Sequence, residues 1–237
     1  MRCYVENISH NSEEILIEDD EFHHIKNVMR IKNGQEIIVF NNEIEFLCTV
    51  LDIQKKSIIV KVVKNTSKTE KKSNIYLMPC IVKGDKMSEI FDIAVQFAVC
   101  QIQPIISQNS HVKDINIKRM EAVMQTSLKQ SSGMLKSEIC NPVKFADIVN
   151  IITEKDCIIY GDLSKNTIKI NSINMQSYNK IFALIGPEGG ITKDEYQILQ
   201  TIKNSFGISL SSRILRAENA TCAILANIYA SLESQMP

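Results

Sequence analysis

The sequence predicts an α/β protein in which a small β-barrel precedes a larger domain built on a parallel sheet. Residues 1–70 hold short apolar strands separated by tight turns, the pattern of a small barrel. Residues 74–237 alternate apolar strands with helical segments, which is typical of a parallel sheet. Between them, the stretch 64–74 is polar and charged without an apolar period, as expected of a domain linker.

Strands of the first domain are predicted from three apolar runs with polar borders. These runs are Gln35–Phe40, Glu43–Leu47 and Ser57–Val63. Asn41-Asn42 lies between the first two runs, and asparagine tolerates the backbone of a tight turn, so a hairpin is predicted there.

A helix is predicted ahead of these strands, over Glu21–Arg30, with Asp19 or Asp20 as its N-cap. Its apolar residues recur at helical spacing, so they are expected to pack on one buried face. They are Phe22, Ile25, Val28 and Met29.

The second domain is predicted to hold five strands and three long helices. The strands are Ile75–Val82, Ile102–Ile106, Cys157–Tyr160, Ile181–Ile185 and Gly207–Leu210. The helices are Met87–Ala98, Ile117–Gln130 and Glu218–Leu232. The last helix carries apolar residues on nearly all sides, and is therefore expected to be largely buried.

The segment Ile185–Thr192 places a proline and three glycines between an apolar strand and a helix start. Thr192 and Glu195 have the capping-box spacing, in which the two side chains satisfy free amides of a helix N-terminus. Ligands of open α/β sheets bind at the carboxyl ends of strands, and glycine lets the backbone approach them. A ligand loop is therefore predicted, although strand-to-helix glycine turns also occur in α/β proteins that bind nothing there.

A second motif, Arg213–Ala220, follows the glycine-rich one, and together the two resemble a known family. In the 16S ribosomal RNA uracil-N3 methyltransferases of the SPOUT class, one loop reads like Gly-Pro-Glu-Gly-Gly and a later one like Arg-Ile-Leu-Arg-x-Glu-x-Ala. Supporting matches cover the rest of the chain. They are Arg2–Val5, His24–Gly34, Lys83–Met87, Pro104–Ser107 and Gln130–Ser132.

The resemblance implies a barrel of the PUA or OB type followed by a trefoil-knotted SPOUT domain that forms a homodimer. It also implies that S-adenosylmethionine binds without a metal, largely through backbone groups of the two loops. The cofactor-binding residues expected on this basis are Leu184, Ile185, Gly186, Pro187, Glu188, Gly189, Gly190, Ser209, Leu210, Ile214, Leu215 and Ala220.

The activity implied is methylation of N3 of a uridine in 16S ribosomal RNA, within an assembled small subunit. Arg216 is the candidate to stabilise negative charge on the uracil oxygens, and Glu218 the candidate to accept the N3 proton. Each has a structural alternative, because a carboxylate in a first turn favours the helix dipole and an arginine can serve an ion pair.

A basic surface is expected to contact the RNA, although basic helix faces are commonly just solvated. The candidates are Arg2, His24, Lys26, Arg30, Lys32 and Arg213. Where relatives carry an arginine after the Gln-Ser step, this chain has Met134-Leu135, and Lys129 or Lys136 is the expected substitute. The second motif departs further from the family pattern. Ser211-Ser212 stands where Gly-Pro is usual, and Ala217 and Asn219 replace threonines.

Composition excludes several classes of protein. The 237 residues carry 27 basic and 27 acidic side chains, so the chain is not one of the uniformly basic proteins that bind nucleic acids through net positive charge. Seven scattered cysteines without a Cys-x-x-Cys pair disfavour disulfides and zinc, and favour buried thiols. No apolar run is long enough to span a membrane, so a cytoplasmic location is expected.

Two other functions agree with the same motifs. One is a SPOUT enzyme that methylates a ribose 2′-hydroxyl of transfer RNA, and the other is a non-catalytic RNA-binding or assembly factor that keeps the fold. The full-length match and the barrel favour the ribosomal RNA enzyme over the first. S-adenosylmethionine binding distinguishes it from the second.

Overall fold

The computed structural model describes residues 1–67, 72–162 and 167–234. The chain divides into two compact units. The first holds the described part of 1–71 together with Gln125–Lys136, and the second holds Lys72–Met124 with the described residues from Ser137 onward. The return of 125–136 to the first unit has no counterpart in the sequence interpretation. Residues 68–71 of the expected linker lie outside the described residues.

Five strands form one sheet in the first unit, in the order β1-β3-β4-β5-β2. They are β1 (Arg2–Tyr4), β2 (Glu14–Ile17), β3 (Glu36–Phe40), β4 (Glu45–Ile53) and β5 (Ile58–Asn65). β1 pairs with β3 in parallel, and the other pairs are antiparallel. Alternate residues such as Ile37 and Val39 point into a core that is closed to solvent, as the period of two requires. The predicted hairpin at Asn41 is confirmed, since β3 and β4 pair in antiparallel on either side of it. The Oδ1 atom of Asn41 accepts hydrogen bonds from the backbone N–H groups of Glu43 and Ile44.

The helix predicted over Glu21–Arg30 differs from the structure. α1 spans Asp19–His23, its N-cap is Glu18 rather than an aspartate, and a π-helical turn follows over His24–Val28. Met29 N therefore donates to His24 O at 3.2 Å, five residues back, and the extra residue rotates the chain off the helical period. The predicted buried face is wrong in its second half, because Val28 is 68% exposed and Met29 39% exposed.

The second unit contains the predicted parallel sheet, with strand order β13-β11-β12-β6-β7-β9. Its strands are β6 (Ile75–Pro79), β7 (Gln101–Ile102), β9 (Glu138–Ile139), β11 (Cys157–Gly161), β12 (Ile181–Ile185) and β13 (Ser205–Ile208). β8 (Ile105–Ile106) and β10 (Val143–Lys144) form a separate parallel pair. Every residue of β12 is buried, as expected for a strand covered on both faces. The trefoil knot implied by the resemblance stays a prediction.

The long helices are α2 (Lys86–Gln96), α3 (Ile117–Gln130), α4 (Lys193–Thr201) and α5 (Ala217–Ser234). α5 packs against α2, and Tyr229 Oη donates to the carbonyl of Phe97 at the end of α2. The expectation that α5 is largely buried is wrong for this chain alone. One stripe containing Ile224 and Ile228 is fully buried, whereas Cys222, Ala226 and Ala230 are exposed because α5 is covered on one side only.

Candidate functional site

The site lies where three neighbouring parallel strands end. β11 pairs with both β12 and β13 in parallel, so the carboxyl ends of the three strands meet at one edge of the sheet. The glycine loop, Gly186–Gly190, follows β12. The second motif, Arg213–Ala220, follows β13 and leads into α5. Adjacent parallel strands therefore bring together two loops that are separate in sequence.

A cavity of about 310 Å³ separates these loops, and most of the predicted cofactor-binding residues line it. Those in its wall are Leu184, Ile185, Gly186, Pro187, Glu188, Gly190, Leu210, Ile214, Leu215 and Ala220. The wall does not include the other two candidates, Gly189 and Ser209. Ile214 is 82% exposed, so a large apolar side chain faces solvent at this site.

Two glycines of the loop occupy positions at which a side chain is disfavoured. Gly190 has a φ of +74°, a conformation that residues with a Cβ rarely adopt, and its N–H donates to Pro187 O at 2.9 Å to close a turn. A Cβ on Gly186 would lie 3.1 Å from Cγ1 of Ile191, which is tighter than ordinary packing allows. The glycines at these two positions therefore favour the observed backbone conformation of the loop.

The predicted capping box at the start of α4 is confirmed. Thr192 Oγ1 accepts from Glu195 N at 3.3 Å, and Glu195 Oε2 accepts from Thr192 N at 2.9 Å. The box satisfies two amides at the start of α4, a few residues after the glycine loop.

Charged groups of both signs line the cavity. Lys86 Nζ lies 3.0 Å from Glu188 Oε1, and Arg213 and Arg216 contribute two exposed guanidinium groups. Burial raises the pKa of Glu188, but the hydrogen bond from Lys86, a backbone hydrogen bond and the charges of Lys86 and His111 together outweigh it and hold that pKa below its usual value. Lys86 lies in Lys83–Met87, one of the segments that supported the family resemblance. The sequence therefore contained a signal for this residue.

Asp162 and Tyr196 also line the cavity, and the sequence analysis missed both. Tyr196 Oη donates to Asp162 Oδ1 at 3.5 Å. Burial, followed by the negative charge of Asp162, raises the pKa of Tyr196 to about 12, so this hydroxyl stays protonated at neutral pH. The position of Asp162, directly after β11, is the signal that would have found it, since polar residues at strand ends are exposed to ligands in such sheets.

The two catalytic candidates occupy different environments. Arg216 is exposed and lines the cavity. Glu218 is only 9% exposed and is not part of the cavity wall, and its Oε2 atom has no hydrogen-bond partner among the residues that the structure describes. Its place in the first turn of α5 also suits the structural alternative, in which the carboxylate interacts favourably with the helix dipole.

Arg2 does not lie on an exposed surface, contrary to the expectation of RNA contact. Its guanidinium donates to the carbonyls of Leu128 and Gly133 at 3.1 and 3.0 Å, and to Glu45 Oε2 at 2.6 Å. It also lies over the Phe40 ring, 4.0 Å from the centroid, and its side chain is 10% exposed. These contacts give Arg2 a structural role in the first unit.

The other basic candidates of the first unit are more accessible. His24, Arg30 and Lys32 are exposed, whereas Lys26 is half-buried and donates to Gln54 O at 3.0 Å. Of the two substitutes expected for the missing arginine, Lys136 is exposed. In the other, Lys129, the Nζ atom lies 2.7 Å from Glu21 Oε1, and both side chains are little exposed. The charge of Lys129 is therefore used in an ion pair within the first unit.

Within 1–67, 72–162 and 167–234, no group of three or more metal-ligating side chains lies close enough to hold a metal ion. In the same ranges no helix combines the length and the apolar character that crossing a bilayer demands.

Comparison with known proteins gives consistent results for both units. A family model for an RNA methyltransferase domain matches residues 69–229, and one for an RNA methyltransferase PUA domain matches residues 17–63. Ribosomal RNA small subunit methyltransferase E of Mesomycoplasma hyopneumoniae is 32% identical over 209 residues, covering 85% of this chain and 88% of that protein. The enzyme of the same name from Rickettsia conorii is 29% identical, covering 96% of this chain and 94% of that protein.

Solved structures share the fold. A ribosomal RNA small subunit methyltransferase E from Neisseria gonorrhoeae, bound to S-adenosyl methionine, aligns with a TM-score of 0.87 at 22% identity. The alignment covers 97% of this chain and 96% of that one. A putative methyltransferase of Legionella pneumophila, also in complex with this cofactor, aligns with a TM-score of 0.83 at 21% identity, covering 97% of each chain.

Proposed function

The chain belongs to the ribosomal RNA small subunit methyltransferase E family, and on this premise we propose that it methylates N3 of a uridine in 16S ribosomal RNA, using S-adenosylmethionine. The observation that carries the proposal is the cavity between the glycine loop and the second motif, at the carboxyl ends of parallel strands. Ten of the twelve predicted cofactor residues line this cavity, although they come from two separate parts of the sequence.

The cavity fits the chemistry of the cofactor. Its volume of about 310 Å³ falls within the lower part of the range for ligand pockets, roughly 300–1,000 Å³. Leu184, Leu210 and Leu215 offer apolar contacts to a planar base, while loop backbone groups supply donors and acceptors. Asp162, which accepts a hydrogen bond from Tyr196 Oη, adds a carboxylate to the cavity wall. When bound, S-adenosylmethionine supplies an activated methyl group on a sulfonium centre.

The proposed reaction moves one methyl group and one proton. N3 of the uracil loses its proton to a base and attacks the methyl carbon as the carbon–sulfur bond breaks, leaving S-adenosylhomocysteine. Arg216 faces the cavity, and we assign it the stabilisation of negative charge on the uracil oxygens. Glu218 as proton acceptor requires that substrate binding open a path to its Oε2 atom, and the lack of a partner for that atom supports the role.

RNA contact is proposed for exposed basic groups of the region 1–70, namely His24, Arg30 and Lys32, with Lys26 beside them. Arg213, at the cavity, is proposed to hold the RNA next to the reacting base. Phosphate contacts of this kind position a nucleic acid without reading its sequence, so the target uridine must be selected by RNA shape or by an assembled small subunit in the cytoplasm.

A homodimer is also part of the proposal. The face of α5 that contains Cys222, Ala226 and Ala230 is exposed in the single chain, and Ile214 at the cavity is exposed as well. Small side chains allow two helices to approach closely, so pairing of α5 with a second copy would cover apolar surface next to the site.

Calorimetric titration with S-adenosylmethionine, using Gly190→Trp and Gly190→Ala beside the wild type, tests cofactor binding. Both variants carry the same backbone strain at φ +74°, and only tryptophan adds bulk to the cavity. One-site binding in the wild type and in Gly190→Ala, lost in Gly190→Trp, is the expected result. A folded wild type that does not bind would overturn the proposal.

The substrate is tested by incubating the protein and labelled cofactor with small-subunit particles, naked 16S RNA and transfer RNA. The expected product is N3-methyluridine in 16S RNA, identified by mass spectrometry of nucleosides. Methylation of a ribose in transfer RNA instead would identify a different target within the same fold.

A further inference from the structure

We propose that Asn109 and Glu195 are positioning residues that hold the glycine loop in its cofactor-binding conformation by fastening it to the turn Ser107–Ser110. This inference rests on the proposed function, because it concerns how tightly the same cavity binds S-adenosylmethionine. Neither residue belongs to the two loop motifs or lines the cavity.

Asn109 fixes the two peptide groups that flank Gly190. Its Nδ2 atom donates to Gly189 O at 3.0 Å and to Gly190 O at 2.9 Å. These carbonyls belong to the peptide planes on either side of the Gly190 Cα, so one amide group sets the orientation of both planes. The approach is close, since a Cβ on Gly189 would lie 3.0 Å from the Asn109 Cβ.

Glu195 joins the same turn to the other end of the loop. Its Oε1 atom accepts from Gln108 N at 2.9 Å, while Oε2 accepts from Thr192 N at 2.9 Å. The residue is 1% exposed, so both bonds are shielded from water, and hydrogen bonds to a charged acceptor are the stronger kind. The carboxylate thus ties the backbone after the glycine loop to the turn.

The turn is itself firmly held, so it can act as an anchor. Lys113 Nζ donates to Ser107 O at 2.7 Å, and Ser110 N donates to the same carbonyl at 3.2 Å. Upstream, Ile81 N donates to Ile105 O at 2.9 Å, which links the strand before the turn to the end of β6. A loop fastened at two points to such an anchor has fewer conformations to lose when a ligand binds, and binding is tighter for that reason.

The test measures S-adenosylmethionine affinity by calorimetry in Asn109→Ala, Glu195→Gln and Thr192→Ala. The third variant is the matched control, since it removes the hydroxyl of the capping box and leaves both carboxylate contacts in place. We expect the dissociation constant to rise about tenfold in the first two variants and less than about twofold in the control. Thermal unfolding and hydrogen exchange of the Gln108 amide are recorded in parallel.

A purely structural role would lower the melting temperature of Glu195→Gln and Thr192→Ala alike without this difference in affinity. Wild-type affinity in both Asn109→Ala and Glu195→Gln, or an equal loss in the control, would overturn the inference. Asn109 is only half-buried, so Asn109→Ala is expected to fold. This variant still tests the inference if Glu195→Gln does not fold. Failure of the proposed function is distinguishable, because then the wild type itself does not bind.

Discussion

Lys86 Nζ and Glu188 Oε1 lie 3.0 Å apart, so an ion pair connects the first residue of α2 to the glycine loop at the cavity. Both side chains are about one-third exposed, at 37% and 31%. The solvent therefore screens their attraction, and such pairs contribute only about 0–1 kcal/mol to stability. Their importance lies in where the loop is held rather than in how stable the chain is.

The pKa of Glu188 should rise towards its ordinary value of 4.5 in Lys86→Met, since the hydrogen bond that lowers it is removed. A depressed carboxyl pKa stabilises the folded state above the ordinary pKa, and that stabilisation is lost as pH falls through the folded value. NMR titration of the Glu188 carboxyl in both proteins measures the change. An unchanged pKa would show that the pair does not form in solution.

Arg2→Ala should destabilise the first unit by about 3 kcal/mol, because the buried Glu45 carboxylate and the carbonyls of Leu128 and Gly133 lose their donor. Urea unfolding measures the change. Lys32→Ala is the control, since that side chain is exposed and its loss should cost less than about 0.5 kcal/mol. Equal stability of the two variants would return Arg2 to the RNA-binding candidates.

Lys129→Met should destabilise the same unit by about 3 kcal/mol, since the Glu21 carboxylate, which is little exposed, loses the cation that lies 2.7 Å from its Oε1 atom. Glu21→Gln in the same chain should restore much of that loss by removing the uncompensated charge. A double-mutant cycle by urea unfolding measures the coupling. Additive effects of the two substitutions would contradict a direct interaction.

Alkylation should modify Cys222 first in the monomeric chain, because it is the exposed thiol among the seven cysteines, all of which are described, and pairing of α5 with a second copy should protect it. Burial raises the pKa of Cys48 to about 11 and that of Cys157 to about 12, so both remain protonated and unreactive near pH 8. Peptide mapping by mass spectrometry after a short iodoacetamide pulse gives the order. Early modification of Cys48 or Cys157 would indicate opening of a core.

Local features of the site were predictable from sequence, whereas distant contacts were not. The capping box at Thr192 and the glycine loop depend on residues within a few positions of each other, so spacing alone identified them. The parallel sheet followed from the order of strands and helices. Asn109 lies 80 residues from the Gly189 carbonyl that it binds, and no local pattern encodes that contact.

The errors have the same origin. Arg2 appeared to be a surface residue because its hydrogen-bond acceptors, Leu128 and Gly133, are more than a hundred positions away. Val28 and Met29 were assigned to a buried face by a helical period that a single π-helical turn interrupts. In both cases the sequence contained the residue, but tertiary structure decided its environment.

The division of the first unit between the chain start and residues 125–136 sets an order for events during synthesis on the ribosome. When the last of its five strands has been translated, Glu45 is present to pair with Arg2, but Leu128, Lys129 and Gly133 are not yet made. Until those residues emerge, the nascent sheet lacks Lys129, the cation that pairs with Glu21, and two of the hydrogen-bond acceptors of Arg2. The amino-terminal unit can therefore be completed only after more than half of the polypeptide has been translated.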